Sequence, residues 1–387
     1  MIRFPRAGRL ALLLPFCFLI ASGCDSSIAT DDRIDRPDTY TFTRDGVSTV
    51  AYPGQTARLD MVEEIKAVLQ TADGGAVIEE QTLLDMFANT DGDGGGHFSF
   101  SSEKQLKNKT FSPDLDANLF ENLFADAAAA SQAGSQGVQA ADGTAGLIER
   151  ETKGTTILVD ANGREFTQLV EKGLMGAVFY NQIYNAYLTD AKIGNDVENT
   201  ALVDGKPYTA MEHHWDEAFG YWDPPIDFTS PWPSERASED RFWSHYSNTV
   251  DPHLGTNAAI MDAFIDGRTA IVNGDMAAKN VARDVLYEQL DLVAAAVAIH
   301  YINDTLAHLD AGYTGEAFHT LSEAWAFTNA LRYNPRRVLT LAEIETIMET
   351  DFGANGNFWN VTPAGLNTAK AKLVAAYPDL ASVQDQL

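Results

Sequence analysis

The chain has 387 residues, of which 55 are acidic and 27 basic, and its formal net charge is −28. A surface this acidic lacks the basic patches that neutralise phosphates, which excludes a nucleic-acid-binding protein. The two cysteines, Cys17 and Cys24, both lie near the start of the chain. The chain after Cys24 therefore contains no disulfide, no zinc–thiolate site and no cysteine nucleophile.

The first residues have the layout of a secretory signal peptide. Arg3, Arg6 and Arg9 precede an apolar run over 10–21 that is too short to span a bilayer as a helix. Small residues then lead to Cys24, and this arrangement resembles a bacterial lipobox, whose cysteine is lipidated after cleavage. We expect residues 1–23 to be a lipoprotein signal peptide. An ordinary signal peptide with a chance cysteine is the alternative.

Lipidation at Cys24 would make the chain a membrane-anchored protein of the bacterial cell envelope. We expect it at the outer membrane, facing the periplasm or the cell surface. Cleavage removes three arginines and no acidic residue, so the 27 basic residues become 24 against 55 acidic ones, and the net charge becomes −31. Such a surface suits metal cations, cationic partners or simply solubility.

The predicted elements follow in chain order. Residues 24–39 are polar and lack periodicity, which predicts a flexible tether. Alternation on both sides of Asp45-Gly46 predicts a β-hairpin over 40–52.

Helical spacing of apolar residues then dominates the chain. Helices are predicted over 56–71, 79–89, 113–130, 165–189, 211–220, 239–246, 256–272, 276–306, 315–332, 340–350 and 363–376. A low-complexity stretch over 134–146 marks a possible loop or sub-domain boundary near 131–164. The predicted fold is all-α, a helical domain over 40–387 with a small N-terminal β-hairpin.

The segment 212–222 concentrates ionisable and aromatic residues. On a helix, His213 and Glu217 are four residues apart and share a face, and His214 and Glu217 are three apart. An imidazole and a carboxylate on adjacent turns can chelate a divalent metal. Either histidine could pair with Glu217. The alternative is a buried polar network that holds the helix to the proline-rich segment 221–233.

Two further pairs have the same spacing on other predicted helices. His319 and Glu323 form one pair, and His300 and Asp304 form the other. Pairs on separate helices can converge inside a bundle, as carboxylate–histidine metal sites do. They can equally be separate intrahelical hydrogen bonds.

Motifs of catalysis are missing from the chain. There is no Gly-x-Ser-x-Gly, no phosphate-binding loop and no His-Glu-x-x-His. Asn89, Asp91 and Asp93 imitate the start of an EF-hand loop, but its twelfth position is Phe100, so we interpret the loop as a solvated turn.

Two family resemblances rest on these residues. The runs 50–61, 213–221 and 321–327 resemble an uncharacterised bacterial lipoprotein family known as domain of unknown function 4856. The sequence from His214 to Glu217 is similar to part of the Gly-x-His-x-x-Glu motif of imelysin-like envelope proteins, with Glu212 in place of the glycine. That second likeness implies an imelysin-like helical bundle, a link to iron-regulated uptake or peptidase activity, and a metal role for His214 and Glu217.

We therefore expect a lipid-anchored, non-catalytic protein that binds a metal ion or metal chelate, with iron or zinc as the metal, or another small molecule. The cleft would lie between the 212–222 segment and the 319–323 helix turn. The candidate metal ligands are His213, His214, Glu217, His319 and Glu323. The candidate ligand-binding residues are Trp215, Asp216, Tyr221 and Trp222. A metal-dependent hydrolase or peptidase and a protein-interaction module are the alternatives.

Overall fold

The computed structural model describes residues 33–112 and 116–387. The predicted signal peptide over 1–23, the predicted lipidation site Cys24 and the predicted tether as far as residue 32 lie outside the described residues. So do residues 113–115 at the start of a predicted helix.

The folded unit starts earlier than the predicted boundary at residue 40, because its first residue is Ile34. The Ile34 amide donates a hydrogen bond of 2.8 Å to Asn273 Oδ1. Arg36 forms ion pairs with Asp262 and Asp266. Residues 34–39 are therefore attached to the folded unit and do not belong to the flexible tether.

The described residues confirm an all-α fold with small hairpins. They form β1 (Thr43–Arg44), β2 (Val47–Ser48), α1 (Pro53–Asp73), α2 (Glu80–Ala88), α3 (Asp116–Ser135), β3 (Gly146–Arg150), β4 (Thr155–Val159), α4 (Phe166–Leu174), α5 (Asp190–Ile193), α6 (Ala210–Trp222), α7 (Phe242–Leu254), α8 (Thr256–Val272), α9 (Met276–Ala311), α10 (Thr314–Ala330), α11 (Leu341–Thr346) and α12 (Pro363–Ala376). The helical segment that begins with α4 continues through two π-helical segments, Met175–Tyr180 and Ile183–Tyr187.

The longest helix, α9, forms the centre of the fold. It is long and apolar enough to cross a membrane by composition, but 72% of its most apolar window is buried inside the protein. A helix that is hydrophobic on all sides is a core helix when neighbours cover it. Here α8 and α10 pack along it. Ala294, Ala295 and Ala296 are fully buried, and such small side chains allow neighbouring backbones to approach closely.

A second hairpin lies where the sequence predicted only a loop or a boundary. Strands β3 and β4 are antiparallel, with Leu147 opposite Leu158 and Ile148 opposite Ile157. The hairpin packs against α1, α3 and α10. Because these helices come from both sides of the 131–164 segment in sequence, the segment lies inside one folded unit and does not divide two.

Candidate functional site

Helix α6 carries the motif that the sequence analysis singled out. A capping box fixes its start, since Thr209 Oγ1 accepts from the Glu212 amide and the Glu212 carboxylate accepts from the Thr209 amide. This cap orients the helix so that His213 and Glu217 face the junction between β2 and α1, while Trp215 and Asp216 face the core.

A hollow of about 430 Å³ opens beside His213 and Glu217. We call it the basic hollow. It is lined by Ser48, Ala51, Pro53, Gly54, Gln55, Arg58, Lys104, Lys109, Tyr187, Lys206, Pro207, Tyr208, His213 and Glu217. Its wall thus combines the first turns of α1, the loop after α2, the loop before α6 and α6 itself.

Four cationic side chains line the basic hollow: Arg58, Lys104, Lys109 and Lys206. Arg58 is buried, Lys109 is half-buried, and the other two lysines are exposed. Within the described residues, none of the four forms an ion pair with a carboxylate. By contrast, five other lysines in the described part of the chain do form ion pairs with carboxylates: Lys66, Lys107, Lys172, Lys370 and Lys372. In so acidic a chain, four unpaired cations around one hollow are a concentrated positive charge.

Arg58 is held in place by backbone carbonyl groups. Its Nε donates to Gln105 O at 2.9 Å, and its Nη1 donates to Gly54 O at 3.0 Å. Carbonyl oxygens orient a guanidinium without neutralising it, so the positive charge of Arg58 remains for a ligand.

The cations repel one another. Burial lowers the pKa of Lys109, and the nearby charges of Arg58, Lys104 and Lys192 lower it further, against the opposite effect of the Glu217 carboxylate. A bound anion would relieve this repulsion.

Both histidines approach the same carboxylate, which answers the question that the sequence left open. His214 Nδ1 is 3.1 Å from Glu217 Oε2, whereas His213 Nε2 is 3.8 Å from Glu217 Oε1. His214 is therefore the hydrogen-bonded partner of Glu217. His213 is the histidine that lines the basic hollow, where its ring stacks on Tyr208 with 4.6 Å between centroids. Burial lowers the pKa of His213.

The four residues expected to bind a ligand lie in the core. Trp215, Asp216, Tyr221 and Trp222 have no exposed surface. Trp215 Nε1 donates to Phe264 O at 2.9 Å. Local spacing could not reveal this burial, because the surrounding helix α8 is distant in sequence. These side chains are structural and do not wall the hollow.

Asp216 is balanced by Arg268, which comes from α8. Arg268 Nε donates to Asp216 Oδ1 at 3.0 Å, and Tyr40 Oη donates to the same oxygen at 2.7 Å. Burial raises the pKa of Asp216 to about 6, against the opposite effect of Arg268. Both charges are fully buried, so the pair fixes α6 to α8 and to the N-terminal segment.

His319 and Glu323 belong to a different cluster, which corrects the expected shared cleft. His319 Nδ1 is 2.6 Å from Glu165 Oε2, and its Nε2 is 3.6 Å from Glu323 Oε2. Glu323 also faces the buried Lys172 at 3.5 Å. Burial alone would lower the pKa of His319, but the carboxylates of Glu165 and Glu323 raise it overall. His319 contacts Glu165 and Glu323 contacts Lys172, and neither His319 nor Glu323 lines the basic hollow.

The remaining pair, His300 and Asp304, is a local contact of 3.6 Å along α9. Over 33–112 and 116–387, no group of three or more His, Cys, Asp or Glu side chains is placed to hold a metal ion. The expected common metal site of His213, His214, Glu217, His319 and Glu323 is therefore not formed by this geometry.

Sequence reasoning missed the cations that define the hollow. One signal was present, because Lys104, Lys107 and Lys109 fall within six residues of an otherwise acidic chain. Arg58 and Lys206 gave no such signal, since only the fold brings α1 and the loop before α6 to that segment.

The described residues form an all-α fold with a hollow lined by charged side chains, and comparison with known proteins gives the family. The family model described as Domain of unknown function (DUF4856) matches residues 37–378. The chain therefore belongs to this family, as its resemblance predicted. Neither a search of curated proteins nor one of solved structures returned a match.

Proposed function

We propose that the chain is a lipid-anchored binding protein of the bacterial envelope, and that its basic hollow takes a small anionic ligand. The observation that carries the proposal is the group of four cations around one hollow that form no ion pair with a carboxylate of residues 33–112 or 116–387. The anchor is supported by the sequence pattern of residues 1–24.

The size and the chemistry of the hollow agree with such a ligand. Small-molecule sites commonly enclose about 300–1,000 Å³, and this hollow measures about 430 Å³. Lysine ammonium groups and a guanidinium form charge-assisted hydrogen bonds with carboxylates and phosphates. A bare divalent cation would meet four like charges. A metal therefore enters this proposal only inside a chelate of net negative charge.

Calorimetric titration at low ionic strength tests the proposal, with inorganic phosphate, succinate and citrate as probes. We expect at least one of them to bind, and Lys109→Ala to weaken it by tenfold or more, since a hydrogen bond to a charged group contributes roughly 1.5–3 kcal/mol. Zinc chloride and iron(II) chloride alone should give no binding heat.

Lys107→Ala is the matched control. Lys107 lies two residues away on the same helical turn, but it pairs with Glu121 at 2.5 Å and does not line the hollow. Its replacement should leave anion affinity within about twofold of the wild type. Absence of binding by all three anions and by L-aspartate, which also carries a net negative charge, or equal weakening in both variants, would contradict the proposal.

A further inference from the structure

The basic hollow contains one acidic side chain among its lining residues in the described chain, that of Glu217. Its side chain is 16% exposed, so part of the carboxylate remains accessible from the hollow. A carboxylate in this position needs an explanation, because it repels the same anions that the surrounding cations attract.

Glu217 is held firmly by its neighbours. Gln55 Nε2 donates to its Oε1 at 3.1 Å, and His214 Nδ1 lies 3.1 Å from its Oε2. The hydroxyl of Tyr187 is a third neighbour, and it also accepts from Gln55 at 3.1 Å. Burial would raise the pKa of Glu217, but the hydrogen bonds from His214 and Gln55 and the charge of His213 lower it overall. The carboxylate is therefore ionised at neutral pH.

The contacts leave Glu217 with unused capacity. A carboxylate has about four acceptor positions, and the three neighbours above do not fill them. A ligand group that donates a hydrogen bond to the Glu217 carboxylate would be attracted to it, which would offset the repulsion between this carboxylate and the anionic groups of the ligand. A ligand without such a group would bind more weakly than the four cations alone would allow.

We infer that the ligand carries a protonated amine beside its anionic groups, so that the basic hollow takes a small zwitterionic acid of net negative charge. The anionic groups contact Arg58 and Lys109, and the ammonium group contacts Glu217. This inference rests on the proposed function, since it assumes that the hollow binds anions.

Succinate and L-aspartate test it as a matched pair of probes, because they share a four-carbon dicarboxylate skeleton and differ by one ammonium group. Wild-type protein should bind aspartate roughly tenfold more tightly than succinate. Glu217→Gln keeps the size and shape of the side chain and one acceptor oxygen, but it removes the charge. It should bind succinate several-fold more tightly than the wild type and lose the preference for aspartate.

Glu103→Gln serves as the control, because Glu103 is an exposed acid next to Lys104 that does not line the hollow. It should preserve the aspartate preference. Circular dichroism and thermal unfolding of each variant confirm that it is folded before titration.

The outcomes separate this inference from the proposed function. Equal or tighter binding of succinate by the wild type, or an unchanged ratio in Glu217→Gln, overturns the zwitterion inference while leaving anion binding intact. Failure of both probes and of phosphate and citrate overturns the proposed function, and this inference with it.

Discussion

Arg268 is the residue on which the arrangement behind the site depends most. Its side chain has no exposed surface, and it pairs with Asp216 at 3.0 Å and with Glu212 at 3.2 Å. Arg44 reaches the same Glu212 from the N-terminal hairpin at 2.9 Å. One buried guanidinium therefore joins α8 to Glu212 in the first turn of α6 and to Asp216 one turn later, and so fixes the helix that presents His213 and Glu217.

Replacing Arg268 by methionine should be strongly destabilising. The change leaves the buried carboxylate of Asp216 without its cation, which costs about 3–5 kcal/mol in comparable cases. Urea unfolding monitored by tryptophan fluorescence measures the change in the free energy of unfolding. Arg36→Met is the control, because Arg36 forms exposed ion pairs that contribute at most about 1 kcal/mol. Similar losses in the two variants would contradict this account of the core.

Asp73 at the end of α1 makes stability depend on pH. Burial and the nearby charge of Glu165 raise its pKa from 3.8 to about 7, although hydrogen bonds from Leu158 and Thr167 lower it. Between about pH 4 and pH 7, the Asp73 carboxyl is therefore protonated in the folded state and ionised in the unfolded chain. The stabilisation from Asp73 is complete below about pH 4 and is lost as the pH rises through 7.

Asp73→Asn should remove this dependence, since an amide does not ionise. Relative to the wild type, the variant should gain stability between pH 4 and 7, by up to about 1.4 kcal/mol per pH unit. Denaturant unfolding at half-unit pH intervals measures the difference. Parallel stability curves for the two proteins would show that Asp73 is not protonated in the folded state.

At the scale of elements, α6 and α8 approach closely because Gly267 has no side chain. A Cβ atom at this position would overlap the indole of Trp215, which is fully buried. Gly267→Ala tests this contact, because the change should raise the stability if the position is open and lower it if the helices are tightly packed there. In an open helix the change should stabilise by about 1 kcal/mol, whereas overpacking should destabilise by about 1–3 kcal/mol. We expect a lower midpoint of thermal unfolding, and a higher midpoint would contradict this packing.

The elements also show what could be predicted from the sequence. Helices α8 and α12 have the bounds that apolar spacing predicted. The apolar residues that recur with the helical period mark the buried face of a helix, and this signal is local in sequence. The hairpin of β3 and β4 was missed, since its short strands follow a Gly- and Ala-rich stretch and gain their stability from α1, α3 and α10. Local spacing predicted that a histidine of α6 pairs with Glu217, but it could not decide between His213 and His214. The cations were not, since Arg58 and Lys206 meet the Lys104–Lys109 segment only through the fold.

The whole molecule combines a strongly acidic chain with one cavity of opposite character. Its 55 acidic and 27 basic residues give a net charge of −28. Four cations nevertheless line the basic hollow, and none of them forms an ion pair with a carboxylate in the part of the chain that the structure describes. A charge contrast of this kind concentrates attraction for an anion in the hollow while the rest of the surface repels it. The spacing of histidines and acids predicted metal ligands, whereas the hollow is lined by cations that come from distant parts of the chain.

Anomalous diffraction from crystals soaked in selenate tests this central claim most directly, because selenium locates a bound anion without assumptions about the natural ligand. We expect an anomalous peak in the basic hollow, within hydrogen-bonding distance of Arg58 and Lys109, that is lost in Lys109→Ala crystals. Peaks confined to other surfaces, with none in the hollow, would contradict it.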